Sequence, residues 1–205
     1  MMATFGGSAL TCVRAERTVF RNLSFSLSSG ALVELRGTNG SGKSSLLRVM
    51  AGLMTPAEGN LMWNGAPMAH DRDGHRARVN YLGHLDGVKG ALTVEENLRF
   101  WMRLRGGSRE QLLRQALTSF QLDKLATRPA RTLSAGQRRR AALARLIACP
   151  ATIWLLDEPT SALDIAGAAA LDHAIAAHLG TGGMVAMATH ERTRSADVLD
   201  LDSFK

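Results

Sequence analysis

Apolar residues in the first third of the chain keep the two-residue period of strands. "ALTCV" (9–13), "LSFSL" (23–27, with Leu23, Phe25 and Leu27 alternating against serines) and "ALVEL" (31–35) predict three strands, and "SSG" at 28–30 turns the chain between the last two. The period becomes helical in "SSLLRVMAGL" (44–53), which stops near Gly52 with Pro56 just beyond. "LMWNGAPM" (61–68) predicts a short hairpin turning at Asn64 and Gly65, and "VNYLG" (79–83) a further strand. From about Thr93 to Ala148 the pattern is helical. "TVEE" (93–96) and "SREQ" (108–111) both have the form of a capping box, and Gly106 and Gly107 part the two helices. The final third alternates: strand "TIWLLD", a helix from Ile165 to Leu179, strand "GMVAMATH" and a last short helix. That rhythm is the βα order of a parallel sheet, so the fold class is α/β with an antiparallel β flank and a helical subdomain.

Composition narrows this picture. With 205 residues the chain can build one well-buried core and a smaller satellite, and 45% hydrophobic against 21% charged residues is the balance of an ordinary globular protein. We therefore expect one domain over 1–205, its core and flank in 1–87 and 150–205 and its helical subdomain in about 88–149. No apolar run approaches the roughly 20 residues needed to cross a bilayer, and the first residues lack the pattern of a secretory signal. Cys12 and Cys149 have no CxxC or Cys/His spacing and are expected as small buried thiols in a reducing cytoplasm. The formal charge of +7 is spread along the chain, with one dense run, Arg138 to Arg140, inside a predicted helix. A solvated basic face is the expectation there, with attraction to anionic lipid headgroups as a modest addition.

Candidate chemistry begins at "GTNGSGKSS" (37–45). Gly37, Gly40, Gly42, Lys43 and Ser44 satisfy G-x-x-x-x-G-K-S/T between a strand and a helix, the context in which free N–H groups and a helix N-terminus hold phosphates. The whole loop, Thr38, Asn39, Ser41 and Ser45 included, is the expected nucleotide cradle; Lys43 would neutralise the β and γ phosphates and Ser44 would ligate Mg²⁺. "IWLLDE" (153–158) delivers two acids at the end of a buried strand, where open α/β sheets bind ligands. Asp157 would hold Mg²⁺ through its water shell and Glu158 would polarise the attacking water.

"LSAGQRRRAALARL" (133–146) resembles the signature sequence of ATP-binding cassette ATPases, more often spelled LSGGQ. Ser134 can cap the helix with Gln137 at its third position, and Gly136 permits close approach, so this helix start is a second phosphate site. The resemblance covers nearly the whole chain and implies a P-loop NTPase with a RecA-like parallel sheet, ATP and Mg²⁺ as cofactors, and a second cassette as homodimer partner. In such dimers the signature of one subunit closes over the ATP of the other. The resemblance also assigns "SALD" (161–164) as the loop whose Asp164 faces the partner, and His190 as the histidine that senses the γ phosphate.

Two positions depart from the family's pattern. Where cassettes stack the adenine on an aromatic residue this chain has Arg14, whose guanidinium plane can also stack on a base. Where they carry a glutamine that touches Mg²⁺ and water, this chain has His84, which still offers one donor and one acceptor. "LGH", "GVKGALTVEENLRF" and the LSAGQ spelling together resemble the ATP-binding subunits of haem exporters in cytochrome c maturation. That likeness implies integral membrane subunits as partners, haem handled by them, a peripheral place at the cytoplasmic face of a bacterial inner membrane, and no direct nucleic acid. A cassette for lipid, peptide or drug is the first alternative. A soluble ATPase acting on DNA or ribosomes is the second, and a binding module without turnover the third, against which Glu158 speaks.

Overall fold

A computed structural model describes residues 2–107, 109–189 and 196–205. The chain forms two compact units, one of residues 1–83, 152–158 and 178–205, the other of 84–151 and 159–177.

The first unit holds both sheets. β1 (Thr4–Arg14) and β2 (Arg17–Ser28) pair antiparallel across the two-residue turn Ala15–Glu16, with Arg14 opposite Arg17. Both turn residues have positive φ, 45° and 63°, the mirror-image turn whose twist suits a hairpin. β4 (Glu58–Trp63) lies on the other side of β1 and turns at Asn64–Gly65 into β5 (Ala66–Pro67), the hairpin expected there. The second sheet is parallel throughout, in the order β6 (Val79–Leu82), β7 (Ile153–Asp157), β8 (Met184–Ala188), β3 (Leu32–Arg36), β9 (Asp197–Asp200). β7 and β8 are buried at every residue, which is why they read as unbroken apolar runs instead of alternating ones. α1 (Lys43–Met50) buries Leu46, Leu47, Val49 and Met50 completely and packs on β7, β8 and β1.

Two elements here differ from expectation. The chain's end forms β9 before its short 3-10 turn, Leu201–Phe204, where only a helix was expected. α2 (Arg72–Arg78) has no apolar stripe to announce it; it starts on Asp71, whose carboxylate accepts from the Gly74 N–H at 3.1 Å.

Two histidines pack inside this unit. His178 stacks on Trp154 with ring centroids 3.9 Å apart and planes within 4°. His75, 3% exposed, has Nε2 2.9 Å from the Met50 carbonyl, which can only accept, so that nitrogen carries the proton. Burial holds both rings below the ordinary histidine value of 6.5. Above that pH neither state of the chain is protonated at these rings. As pH falls through about 6.5 the unfolded chain takes up protons that the folded one refuses, and stability is lost. The urea midpoint is expected to drop between pH 7.5 and 5.5, and His178→Gln to flatten the slope; a pH-independent midpoint would contradict the burial argument.

The second unit contains α3 (Val94–Leu104), α4 (Glu110–Ser119), α5 (Ala135–Ala148) and most of α6 (Ile165–Gly180). The capping box at Thr93 is present in both directions: Thr93 Oγ1 accepts from the Glu96 N–H at 3.1 Å, and Glu96 Oε2 from the Thr93 N–H at 2.8 Å. Ser108, the other expected cap, lies outside the described residues; among those described, Arg109 occupies the capping position of α4 and makes no side-chain capping bond. Thirteen of the 25 Lys and Arg but seven of the 18 Asp and Glu fall in this unit, so nearly all the excess positive charge is here. The run at 138–140 is not the solvated face expected from its charge: Arg139 is 3% exposed. Cys12 and Cys149 are buried thiols, as expected. Among the described residues no helix is long and apolar enough to cross a membrane.

Candidate functional site

The loop 37–42 leaves β3 and enters α1 at Gly42, whose φ of 105° lies in the left-handed region. A Cβ there would sit 2.5 Å from Val19 Cγ1 and 3.1 Å from Phe20 Cδ1, so the loop is seated against β2 with no room for a side chain. Lys43 Nζ reaches back across the loop and donates to the carbonyls of Gly37 at 2.7 Å and Thr38 at 3.1 Å. Ser44 Oγ donates to Asp157 Oδ1 at 3.0 Å, which joins the first turn of α1 to the end of β7. The donor set is all oxygen, a hydroxyl beside a carboxylate, and suits a small hard cation such as Mg²⁺.

Glu158 follows directly, with φ 47° and its N–H donating to the Ala188 carbonyl at 2.9 Å. A left-handed non-glycine residue is a costly conformation that persists where the surroundings over-determine it, and such positions cluster at working sites. Glu158 lines a cavity of about 700 Å³ together with Asn39, Gly40, Gly42, Lys43, Ser44 and Ser45 from the loop and Arg14 from β1. That volume suits a nucleotide. Gly37, Thr38 and Ser41 do not line that cavity, and Ser41 Oγ is buried with no hydrogen-bond partner among the described residues.

Residues near the C-terminal end of the chain complete this site, and sequence reasoning missed them. Thr38 donates its N–H to Asp202 Oδ2 at 2.7 Å and its hydroxyl to Oδ1 at 2.9 Å. Lys205 Nζ lies 2.6 Å from Asp202 Oδ1 and 3.2 Å from Thr38 Oγ1, and lines the cavity. The Lys205 ammonium first, and the two Thr38 donors after it, hold the Asp202 carboxyl down to about 2. Arg17 and Thr18 from β2 also line the cavity. No local motif flags these residues, because their role comes from strand pairing and from a contact 164 positions apart.

In the second unit, Ser134 caps α5: its hydroxyl accepts from the Gln137 N–H at 3.2 Å, and Gln137 Oε1 accepts from the Ser134 N–H at 3.0 Å. A Cβ on Gly136 would come within 2.8 Å of the Ala162 carbonyl, so the start of α5 lies directly on the 160–164 turn. Asp164 Oδ1 accepts from the Gly167 N–H at 2.8 Å and thereby caps α6, a local duty besides the one its motif implies. His84 is exposed at the first position of this unit. His190 lies outside the described residues.

The profile of a family described as "ABC transporter" matches residues 20–161. A protein of Paramagnetospirillum magneticum named "Cytochrome c biogenesis ATP-binding export protein CcmA" is 52% identical over 207 residues, covering 98% of this chain and 95% of its own length. A protein of the same name from Rhodospirillum rubrum is also 52% identical, over 98% of this chain and 87% of its own. Among solved structures, a putative ABC transporter ATP-binding protein from Pyrococcus furiosus superposes with a TM-score of 0.85 at 22% identity, over 98% of this chain and 99% of that one. A bacterial Atm1-family ABC exporter with ATP bound gives 0.84 at 22% identity, over 97% of this chain and 37% of that one. At such identity the structures attest the fold, α/β with a parallel and an antiparallel sheet, as expected.

Proposed function

Since this chain belongs to the ABC transporter family as an ATP-binding subunit, we propose that it hydrolyses ATP to drive haem delivery for c-type cytochrome assembly, docked on membrane subunits. The observation that carries the hydrolytic part is the 3.0 Å contact of Ser44 with Asp157, with Ser44 and Glu158 lining one cavity.

The loop N–H groups and the positive end of α1 receive the phosphates. Lys43, held by two neutral carbonyls, turns its ammonium to the β and γ oxygens, a stronger partner for a cation. Ser44 and Asp157 would hold Mg²⁺. When bound, that ion supplies charge stabilisation of the phosphoryl oxygens. Glu158 takes a proton from the attacking water, and Arg14 lies flat on the base. Ser134 and Gln137 close the capping box at the start of α5, and the Gly136 N–H with the positive end of that helix goes to the ATP of a second copy, with Asp164 toward that copy. The resemblance gives His84 and His190 the hydrogen bonding around water and γ phosphate.

The basic helical unit favours an anionic membrane surface at the cytoplasmic face. Haem itself is handled by the membrane partners. The names of the relatives support the assignment to cytochrome c biogenesis.

The test is haem staining of c-type cytochromes in cells whose only copy carries Glu158→Gln. Loss of c-type with retention of b-type cytochromes is expected. Persistence of both would leave the ATPase intact as a reading and move its cargo elsewhere.

A further inference from the structure

We propose that Arg139 is a positioning residue for hydrolysis, tying the loop that follows His84 to the turn that follows Glu158. The proposal rests on the ATPase reading above. Arg139 sits in the second turn of α5 and is buried. Its Nη1 donates to Asp86 Oδ1 at 3.0 Å and its Nε donates to the Pro159 carbonyl at 3.2 Å. Asp86 stands two residues beyond His84, and Pro159 is joined to Glu158 by a peptide bond. One side chain thus holds the neighbours of both Glu158 and His84.

The chemistry of the group favours this use. A guanidinium presents N–H donors in fixed directions in one plane, so Asp86 and Pro159 are held at a set separation, which a lysine's single swivelling ammonium cannot do. A buried ion pair is weak evidence for stability, since apolar replacements often serve as well, and specificity of geometry is the better-attested gain. Here the geometry matters on both sides. The strained φ of Glu158 is held through its own N–H by Ala188, and the next carbonyl but one along the chain is held by Arg139. On the other side the loop is pinned three residues past Asp86, where the Lys89 N–H donates to Asn97 Oδ1 at 2.7 Å and Asn97 Nδ2 to the Lys89 carbonyl at 3.0 Å. A displacement of this loop therefore meets little slack, and Arg139 passes it to the backbone next to Glu158.

The test compares wild type with Asp86→Asn, Arg139→Gln, Arg139→Lys and the Asp86→Asn/Arg139→Gln double variant, by steady-state ATPase kinetics, thermal melting and hydrogen exchange. Asp86→Asn leaves the buried arginine in place and serves if Arg139→Gln does not fold. Amide exchange in 84–90 and in 158–163 is expected to rise together, roughly 10-fold, in either single variant. The turnover number should fall roughly 10-fold with KM changed less than about 2-fold, and the double variant should be no slower than the worse single one. Arg139→Lys should restore protection in 84–90 alone. Exchange that rises only in the segment carrying the substitution would overturn the proposal, as would additive losses or a joint fall of turnover, affinity and melting temperature. Exchange needs no turnover, so this result stands apart from the ATPase reading, whose own failure would show as undiminished hydrolysis by Glu158→Gln.

Discussion

Glu158→Gln lowers ATP hydrolysis roughly 100-fold or more and leaves ATP bound, because a positioned general base contributes about 10²–10⁴ to the rate. Glutamine has the same shape, so the φ of 47°, the N–H bond to Ala188 and the cavity wall all persist. What is lost is the capacity to accept a proton, since an amide oxygen is a far weaker base than a carboxylate. Single-turnover hydrolysis beside a fluorescence titration of nucleotide separates the two effects. A nucleotide Kd within about 2-fold of wild type, with hydrolysis nearly gone, is the expected pair for loss of a group that acts only in the transition state. Wild-type turnover would show that another group receives the proton.

Gly42→Ala is expected to weaken ATP binding by roughly 30-fold, the equivalent of about 2 kcal/mol. An L side chain in the left-handed region costs about 1–2 kcal/mol, and here the new methyl would also overlap Val19 Cγ1. Relief comes only by lifting the loop from β2, which swings the first N–H groups of α1 and the Lys43 backbone away from the phosphates. Isothermal titration checks the affinity. An unchanged Kd would mean that β2 yields and that the loop does not depend on being seated there. Melting temperature distinguishes this local effect from general loss of the fold, since the loss of affinity should exceed what the melting shift implies.

The parts of this molecule legible in its sequence are those whose chemistry forces a local backbone. The loop 37–45 needs its glycines to curl and its lysine at the helix start, the boxes at Thr93 and Ser134 satisfy N–H groups three residues away, and Asn64–Gly65 is a turn by its own preference. What stayed hidden depends on distant partners. β9 has four mostly exposed residues, with no alternation or buried run to mark it, and exists because β3 offers it an edge. The burial of Arg139 could not be read from three adjacent arginines, because charge alone says "surface" until Asp86 and Pro159 are found beside it. The same holds for Asp202, whose bond to Thr38 joins nearly opposite ends of the chain.

The strand order β8-β3-β9 also sets a timetable. β3 is complete by residue 36, yet one neighbour is not made until residue 188 and the other not until residue 200. During synthesis, at about 5–20 residues per second, the strand leading into the phosphate loop waits on the ribosome for roughly 10–30 s with neither edge paired. The helical unit's helices α3 to α5, whose contacts are local, emerge within that wait. The growing polypeptide therefore gains its capacity to grip nucleotide late, once β8 and β9 flank β3 and Asp202 reaches Thr38.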